Sequence, residues 1–298
     1  MDIVVTILVD GVIFGSSLFL VAAGLTLVFG VMGVLNVAHG AFYAAGAYVA
    51  ATIMKSQLAL GLPGQWSILA LFASALITAL VVGPLMEQVL LKRFYGQDEI
   101  VLLLVTYATF LIFEDAIRLI WGTTSYYVSE PYGSFGNVIF GPLNYVGYDF
   151  FLVVMAVAVG SALWLAINKT SLGRIVLAVT YDRSVCEAMG VNVNLVFAGT
   201  FTLGTFLSAL GGALSAPAMA ITPGMGVNAI ILSFAVVVIG GLGSIEGAAV
   251  GSAIVGIAHS AAVVFWPQAE LFIPYGVMVT VLLVRPEGLL HRIKLRRI

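Results

Sequence analysis

The sequence predicts an all-α, polytopic membrane protein with about eight transmembrane helices, some of them broken or short. Hydrophobic residues make up 61% of the chain and charged residues only 9%, whereas a soluble domain carries roughly 25% charged residues. Several charge-free runs reach the roughly 20 residues that a spanning helix needs, and glycine-rich breaks interrupt the longest of them. We therefore expect residues 1–298 to form a single transmembrane domain.

Charged and turn-forming residues mark where the predicted spans begin and end. The stretch between Asp10 and Lys55 has no charge and is too long for one helix, so we expect two helices separated at GVMGVLNVAHG. Residues 195–245 are also expected to form two helices, broken at PAMAITPGMG. The remaining predicted spans are residues 66–85, 100–121, 150–167 and 248–266, and the short run over 271–284 is the weakest candidate.

Basic residues predict the orientation, because loops on the cytoplasmic side carry an excess of Lys and Arg. They gather at Lys92 and Arg93, in the loop over about 168–193, and in the tail RPEGLLHRIKLRRI after Val284. We therefore expect these segments in the cytoplasm, with the N-terminus outside and the C-terminus inside. The loop over about 122–148 then lies on the outer side, and it holds too many turn residues to span the membrane.

Several functional classes lack their signatures in this chain. The formal net charge of −2 gives no reason to expect nucleic acid as a partner, and membrane lipid is the expected surrounding. The single cysteine, Cys186, excludes a disulfide within the chain and a Cys-rich metal site. The G-x-x-x-x-G-K-[ST], H-E-x-x-H and G-x-S-x-G motifs are absent. We therefore expect no enzymatic activity, no ATPase site on this chain, and no metal or cofactor bound to it.

Three charged residues fall inside a predicted span. Glu114 and Arg118 are four residues apart, so on a helix they share a face and can pair. One interpretation is a pair that neutralises itself near the outer interface, because charges inside membranes are usually paired. The other is a polar lining at the outer mouth of a pathway, in which Glu114 and Asp115 could serve ion coupling.

A polar pair, Asn36 and His39, lies beside Gly40 in the first predicted break. Late in the chain, the segment VVVIGGLGSIEGAAVG looks like the counterpart of this break, with an apolar helix, a glycine break and a small-residue helix. Paired interruptions of this kind can mark a pathway between two halves of a chain. The alternative is that the pair satisfies open backbone groups, as buried irregular backbone requires. The candidate pathway or gate residues are Asn36, His39, Gly40, Gly241, Gly243, Ser244, Glu246 and Gly247.

The loop TSLGRIVLAVTYDRSVCEAMGVN predicts a short cytoplasmic helix with apolar and charged positions. Ser171 can cap its start, and Gly190 can end it. Such a helix either lies on the membrane surface or docks into a groove on a soluble protein. The candidate residues are Ser171, Leu172, Gly173, Arg174, Asp182, Arg183, Glu187, Ala188, Met189 and Gly190.

This loop resembles the coupling loop of permease subunits of ABC importers, whose shared element carries Glu-Ala-Ala and a following Gly. The corresponding residues here read CEAMGVNV, with Met189 at the second Ala and an early Gly190. The segments GLTLVFGVMGVLNVAHGAFYAAGAYVA, SLGRIVLAVTYDRSVCEAMGVNV and VVVIGGLGSIEGAAVGSAIVG together resemble LivH-type permeases of branched-chain amino acid importers. The similarity runs through nearly the whole chain.

The resemblance implies a multi-pass permease subunit in the bacterial inner membrane. It implies pairing with a homologous LivM-type permease, two cytoplasmic ATPase subunits that bind ATP and magnesium, and a periplasmic solute-binding protein. The aromatic residues of the 122–148 loop either lie at the membrane interface, where aromatics gather, or form a surface that receives the binding protein. Relatives carry branched-chain amino acids, amides, urea or aromatic acids, so the solute stays open. The alternative function is a stand-alone, ion-coupled secondary carrier.

Overall fold

The computed structural model describes residues 2–61, 63–140 and 143–290. Helices dominate this part of the chain. They are α1 (Asp2–Met32), α2 (His39–Ala59), α3 (Ser67–Pro84), α4 (Glu99–Trp121), α5 (Gly147–Lys169), α6 (Ser171–Tyr181), α7 (Arg183–Ala188), α8 (Val193–Ser215), α9 (Met225–Gly240), α10 (Ile245–Phe265) and α11 (Ile273–Val284). The predicted cytoplasmic C-terminus rests partly on the basic residues of 291–298, which lie outside the described residues.

The structure supports a multi-pass membrane protein. Six helices are long and apolar enough to cross a bilayer, namely Ile3–Met32, Ser67–Phe94, Glu99–Trp121, Gly147–Lys169, Val193–Ser215 and Ile245–Phe265. If α2, α9 and α11 also cross, the described residues hold nine crossings. An odd number places the two ends of the chain on opposite sides, as the loop charges predict, whereas eight crossings would place both ends on one side.

The all-α prediction needs one correction, in the loop over 122–148. Strands β1 (Asn137–Phe140) and β2 (Leu143–Val146) form an antiparallel hairpin that pairs Asn137 with Val146. Two short runs of β-branched and aromatic residues flank a Gly-Pro pair in the sequence, which is a hairpin pattern that the turn-rich composition obscured.

Helix α1 is the centre of the helix body. It packs along α10, α8, α5 and α9, and α8 packs in turn against α2 and α3. Close packing depends on bare backbone, because a Cβ on Gly15 would overlap the carbonyl of Ser252 in α10, and one on Gly46 would overlap Ala209 in α8.

The end of α3 departs from regular α-helix. After Pro84, residues Leu85–Leu90 form a π-helical turn and Leu91–Phe94 form a 3₁₀ turn. Pro84 has no backbone N–H, so the ladder of α-helical hydrogen bonds already lacks one bond just before this point. Just before it, Gly83 lies so close to Thr202 of α8 that a Cβ there would come within 2.9 Å of the Thr202 Cα.

Candidate solute path and coupling surface

The first predicted break is a buried, non-helical segment that turns back into the helix body. Residues 33–38 leave α1 through Gly33, whose φ is +67°, and reach His39 at the start of α2. The His39 Nε2 lies 3.1 Å from the carbonyl oxygen of Val21. Since α1 continues for about 16 Å beyond Val21 before it ends, α2 begins well inside the body.

Side chains from distant helices satisfy the backbone of this segment. Thr106 of α4 accepts a hydrogen bond from the Val37 amide at 3.3 Å, and Ser208 of α8 donates to the His39 carbonyl at 2.7 Å. Asn36 accepts from the Ala38 amide at 3.1 Å. Asn36 and His39 are fully buried, and the Asn36 Nδ2 and His39 Nδ1 have no hydrogen-bond partner within the structure as described.

A second interruption, residues 216–224, joins α8 to α9. Ile221 and Tyr126 exchange two backbone hydrogen bonds of 2.9 Å, which tie this segment to the 122–148 loop. It ends at Gly224, whose φ is +89°. The Gly224 amide donates to the Oε2 atom of Glu114 at 3.0 Å. Glu114 therefore caps the chain where it enters α9, and the negative carboxylate also suits a helix N-terminus.

The predicted pair of Glu114 and Arg118 is present but loose. The Arg118 Nη2 lies 3.9 Å from Glu114, whereas its Nη1 lies 3.3 Å from Asp115. Glu114 is buried and the side chain of Arg118 is about half exposed. The backbone of Gly224 is thus the nearest polar partner of Glu114, a contact that spacing along α4 could not indicate.

The two interruptions meet at a pair of glycines. Gly40 in the first turn of α2 packs against Gly226 in the first turn of α9, and a Cβ on either glycine would overlap the carbonyl group of the other. Two helix N-termini thus converge inside the body, which is the arrangement of discontinuous helices at transporter substrate sites. We call this contact the glycine crossing.

The late segment expected as the counterpart of Asn36 and His39 lies elsewhere. Gly241 and Gly243 take φ values of +105° and +81°, and Ser244 caps α10 by accepting from the Gly247 amide at 3.0 Å. Gly243 packs against Gly30, near the end of α1. Glu246 accepts a hydrogen bond from the Trp164 Nε1 of α5 at 2.9 Å. The candidate pathway residues therefore divide into two groups, and the partner of Gly40 is Gly226.

The loop over 168–193 forms two helices where one was predicted. Thr170, rather than Ser171, caps α6 by accepting from the Gly173 amide at 3.0 Å. Helix α6 ends at Tyr181, and Asp182 caps α7 by accepting from the Val185 amide at 3.0 Å. This bond and one from the Ser184 hydroxyl hold the pKa of Asp182 below its usual range. Gly190, with φ of +84°, follows the end of α7.

The two helices divide their side chains between the body and the surface. Val179 of α6 and Cys186 of α7 are buried against Val193, Phe197 and the end of α1. Leu172 is 73% exposed and Met189 is 78% exposed. Arg183 donates to Glu187 at 2.9 Å, and both side chains are partly exposed. We define the coupling surface as Leu172, Arg174, Tyr181, Val185 and Met189.

A cavity of about 720 Å³ lies on the side of the body that carries the 122–148 loop. Leu18 and Val21 of α1, Tyr43 of α2 and Met225 of α9 line it, together with the 218–224 segment. Since Val21 also contacts His39, the cavity reaches the level of the first turn of α2. Its charged and titratable lining among the described residues consists of Asp10, Tyr43, Tyr145, Asp149, His259, Glu270 and Tyr275.

Comparison with known proteins identifies the family. Residues 7–282 match the family described as branched-chain amino acid transport system / permease component. The chain belongs to this family. It is 31% identical to the high-affinity branched-chain amino acid transport system permease protein BraD of Pseudomonas aeruginosa, over 98% of this chain and 97% of that one.

Other relatives extend this result. The corresponding LivH permease of Escherichia coli K12 is 27% identical over 97% of this chain and 96% of its own length. A probable LivH permease of Methanocaldococcus jannaschii is 29% identical over 95% and 91%. A chain of PsaBC from Streptococcus pneumoniae in complex with Fab shares the fold, with a TM-score of 0.51 at 13% identity, covering 93% of this chain and 91% of that one.

Sequence reasoning missed several residues at the centre of this permease. Thr106 and Ser208 are isolated hydroxyls in apolar helices, where a hydroxyl more often bonds to its own helix. Gly226 is the last residue of the break PAMAITPGMG, which was interpreted only as the separation between two helices. The Asp182 cap had a usable signal, because an Asp before a short helical run is a common N-cap.

Proposed function

We propose that this chain is one permease subunit of an ATP-driven importer for branched-chain amino acids or related small solutes. It pairs with a second, LivM-like permease to form the solute path in the bacterial inner membrane. Two cytoplasmic subunits bind ATP and magnesium and hydrolyse the ATP, and a periplasmic solute-binding protein delivers the solute near the 122–148 loop.

The coupling surface carries this proposal. Leu172, Val185 and Met189 are exposed although apolar, and they lie beside Arg174 and the Arg183–Glu187 pair. A partly apolar helix with flanking charges suits a groove on a soluble protein. Helices α6 and α7 pack against the end of α1 through Val31 and Met32. A movement of the ATPase subunits would therefore be transmitted to the helix body.

The outer cavity and the glycine crossing support a solute path. The cavity holds both apolar walls and carboxylates, which suits an amino acid with an aliphatic side chain and an ammonium group. His39 and the glycine crossing close the body beneath it. Access to the two sides would alternate as helices move at this level, as in other transporters that rock around a central site.

The contacts of Glu114 count against the secondary carrier. An ion-coupling carboxylate must exchange its ion during transport, whereas Glu114 is bonded to Gly224. Asp115 is largely exposed on α4 and pairs with Arg118. A lone chain that moves solute down an ion gradient would nevertheless overturn the importer proposal.

The first experiment is affinity purification of the tagged chain, expressed with its neighbouring genes, followed by an ATPase assay. We expect a second permease and active ATPase subunits to co-purify. In the double variant Leu172→Asp, Met189→Asp, the second permease should still co-purify. The ATPase subunits and their activity should fall more than ten-fold, because each new carboxylate would lose its water on docking into the groove of the ATPase subunit. Leu60→Asp is the matched control, since Leu60 is equally exposed but follows α2. Equal loss in both variants would contradict the assignment of the coupling surface.

Replacement of His39 separates its two interpretations. His39→Ala removes the Nε2 contact with the Val21 carbonyl and opens space beside Gly24. If His39 gates the path, transport should fall at least ten-fold while the complex still assembles in normal amount. Solute uptake into proteoliposomes, normalised to assembled complex, measures this. Loss of the assembled complex instead would assign His39 a structural role.

A further inference from the structure

The end of α3 holds a buried acidic residue that the solute path does not use. Glu87 lies in the π-helical turn and is 1% exposed. Burying a carboxylate at the end of a membrane span costs free energy, and ionisable residues kept at such positions commonly mark functional sites. The hydrogen-bond partner of Glu87 is therefore informative. The Tyr95 hydroxyl, just past the end of this span, donates to the Glu87 Oε1 at 2.9 Å.

Tyr95 also contacts the coupling loop. Its ring lies edge-on to Phe197 of α8, with centroids 5.4 Å apart. The guanidinium of Arg183, at the start of α7, lies 5.9 Å from the Tyr95 ring centroid and 5.3 Å from that of Phe197. Arg183 is itself held by Glu187. Tyr95 therefore contacts Arg183 of α7 through its ring and Glu87 of the π-helical turn through its hydroxyl.

The π-helical turn lies between Tyr95 and the first interruption. Met86 of this turn and Leu91 of the 3₁₀ turn belong to one buried cluster with Val34 and Ala38 of the first interruption and Phe42 of α2. A π-helical turn is a frequent site of functional movement within a helix. A displacement of α7 can thus pass through Tyr95 to this turn, and from the turn to the residues beside His39.

We propose that Tyr95, held by Glu87, is a positioning residue that transmits movement of the coupling loop to α3 and the first interruption. The inference rests on the proposed function, since the movement originates in the ATPase subunits. Burial and the adjacent Glu87 carboxylate keep the pKa of Tyr95 above its usual range, so its hydroxyl stays protonated and can donate.

The test measures ATP hydrolysed per solute imported, in proteoliposomes that contain the complete importer. Tyr95→Phe removes only the hydroxyl and keeps the ring against Phe197 and Arg183. We expect this ratio to rise at least three-fold, because ATPase movement no longer reaches α3. Glu87→Gln should stay near the wild-type ratio, since the amide oxygen still accepts from Tyr95. The double variant should match Tyr95→Phe alone.

Tyr107→Phe is the matched control. Tyr107 is exposed on α4, and its hydroxyl makes no hydrogen bond with the described residues. This variant should therefore keep the wild-type ratio. An unchanged ratio in Tyr95→Phe, or a proportional fall of both rates, would overturn the role of Tyr95 and leave the importer intact. A wild-type complex without ATP-driven uptake would overturn the proposed function itself, which keeps the two failures distinct.

Discussion

Replacing Gly40 with valine should abolish transport and reduce the yield of folded protein at least ten-fold. A Cβ at this position overlaps the Gly226 carbonyl and comes within 2.8 Å of the Ile230 Cβ. The obstacle is backbone, which cannot rotate away as a flexible side chain can. Overpacking in a well-packed interior costs roughly 1–3 kcal/mol, and each 1.4 kcal/mol corresponds to about ten-fold in an equilibrium. Fluorescence-detected size-exclusion chromatography gives the yield, and solute uptake gives the activity.

Gly199→Val provides the control for this prediction. Gly199 also lies in a helix, but a Cβ there meets no atom within 4 Å. The same change in size should therefore be tolerated at position 199. A folded, active Gly40→Val protein would mean that α2 and α9 do not meet at the glycine crossing.

Replacing Glu114 with alanine should lower the free energy of unfolding by about 2 kcal/mol, because a hydrogen bond to a charged group contributes roughly 1.5–3 kcal/mol. The loss leaves the Gly224 amide, which donates to Glu114 at 3.0 Å, without its partner. Glu114→Gln should keep most of the stability, since its amide oxygen can still accept. Thermal unfolding of the purified protein in detergent measures the difference.

Arg118→Ala distinguishes the backbone cap from the ion pair. The Arg118 side chain is 49% exposed and lies 3.9 Å from Glu114, so we expect a loss below about 1 kcal/mol. If Arg118→Ala destabilises the protein as much as Glu114→Ala does, the ion pair rather than the cap holds the start of α9.

Local patterns predicted much of the architecture. Charge-free length identified the long spans, because the bilayer imposes a minimum helix length. Segments rich in glycine or other turn residues predicted the two interruptions and the turn at residues 241–244. Polar residues accompany them because non-helical backbone inside a membrane must be paired within the protein. The apolar and charged pattern of the 168–193 loop correctly predicted a helical segment, although Asp182 divides it into two helices.

The pairing between distant segments could not be predicted from local patterns. Nothing near Gly40 indicates that Gly226 is its neighbour, and the symmetry of two glycine-rich breaks pointed to Gly243 instead. Glu114 and Tyr95 likewise acquire their partners, Gly224 and Glu87, only when the chain folds. From the sequence, Glu114 is expected to pair with Arg118, whereas in the folded chain the Gly224 amide lies closer to it than Arg118 does.

The buried segment between α1 and α2 has a consequence for biogenesis. Its hydrogen-bond partners lie far downstream, since Val37 and Thr106 are 69 residues apart and His39 and Ser208 are 169 residues apart. At roughly 5–20 residues per second, the ribosome needs on the order of ten seconds or more to supply Ser208. Until then the His39 carbonyl lacks its Ser208 partner, and open backbone in lipid is costly. We therefore expect this segment to stay in water or at the membrane surface at first, so that α2 takes its final depth only after α8 has been inserted.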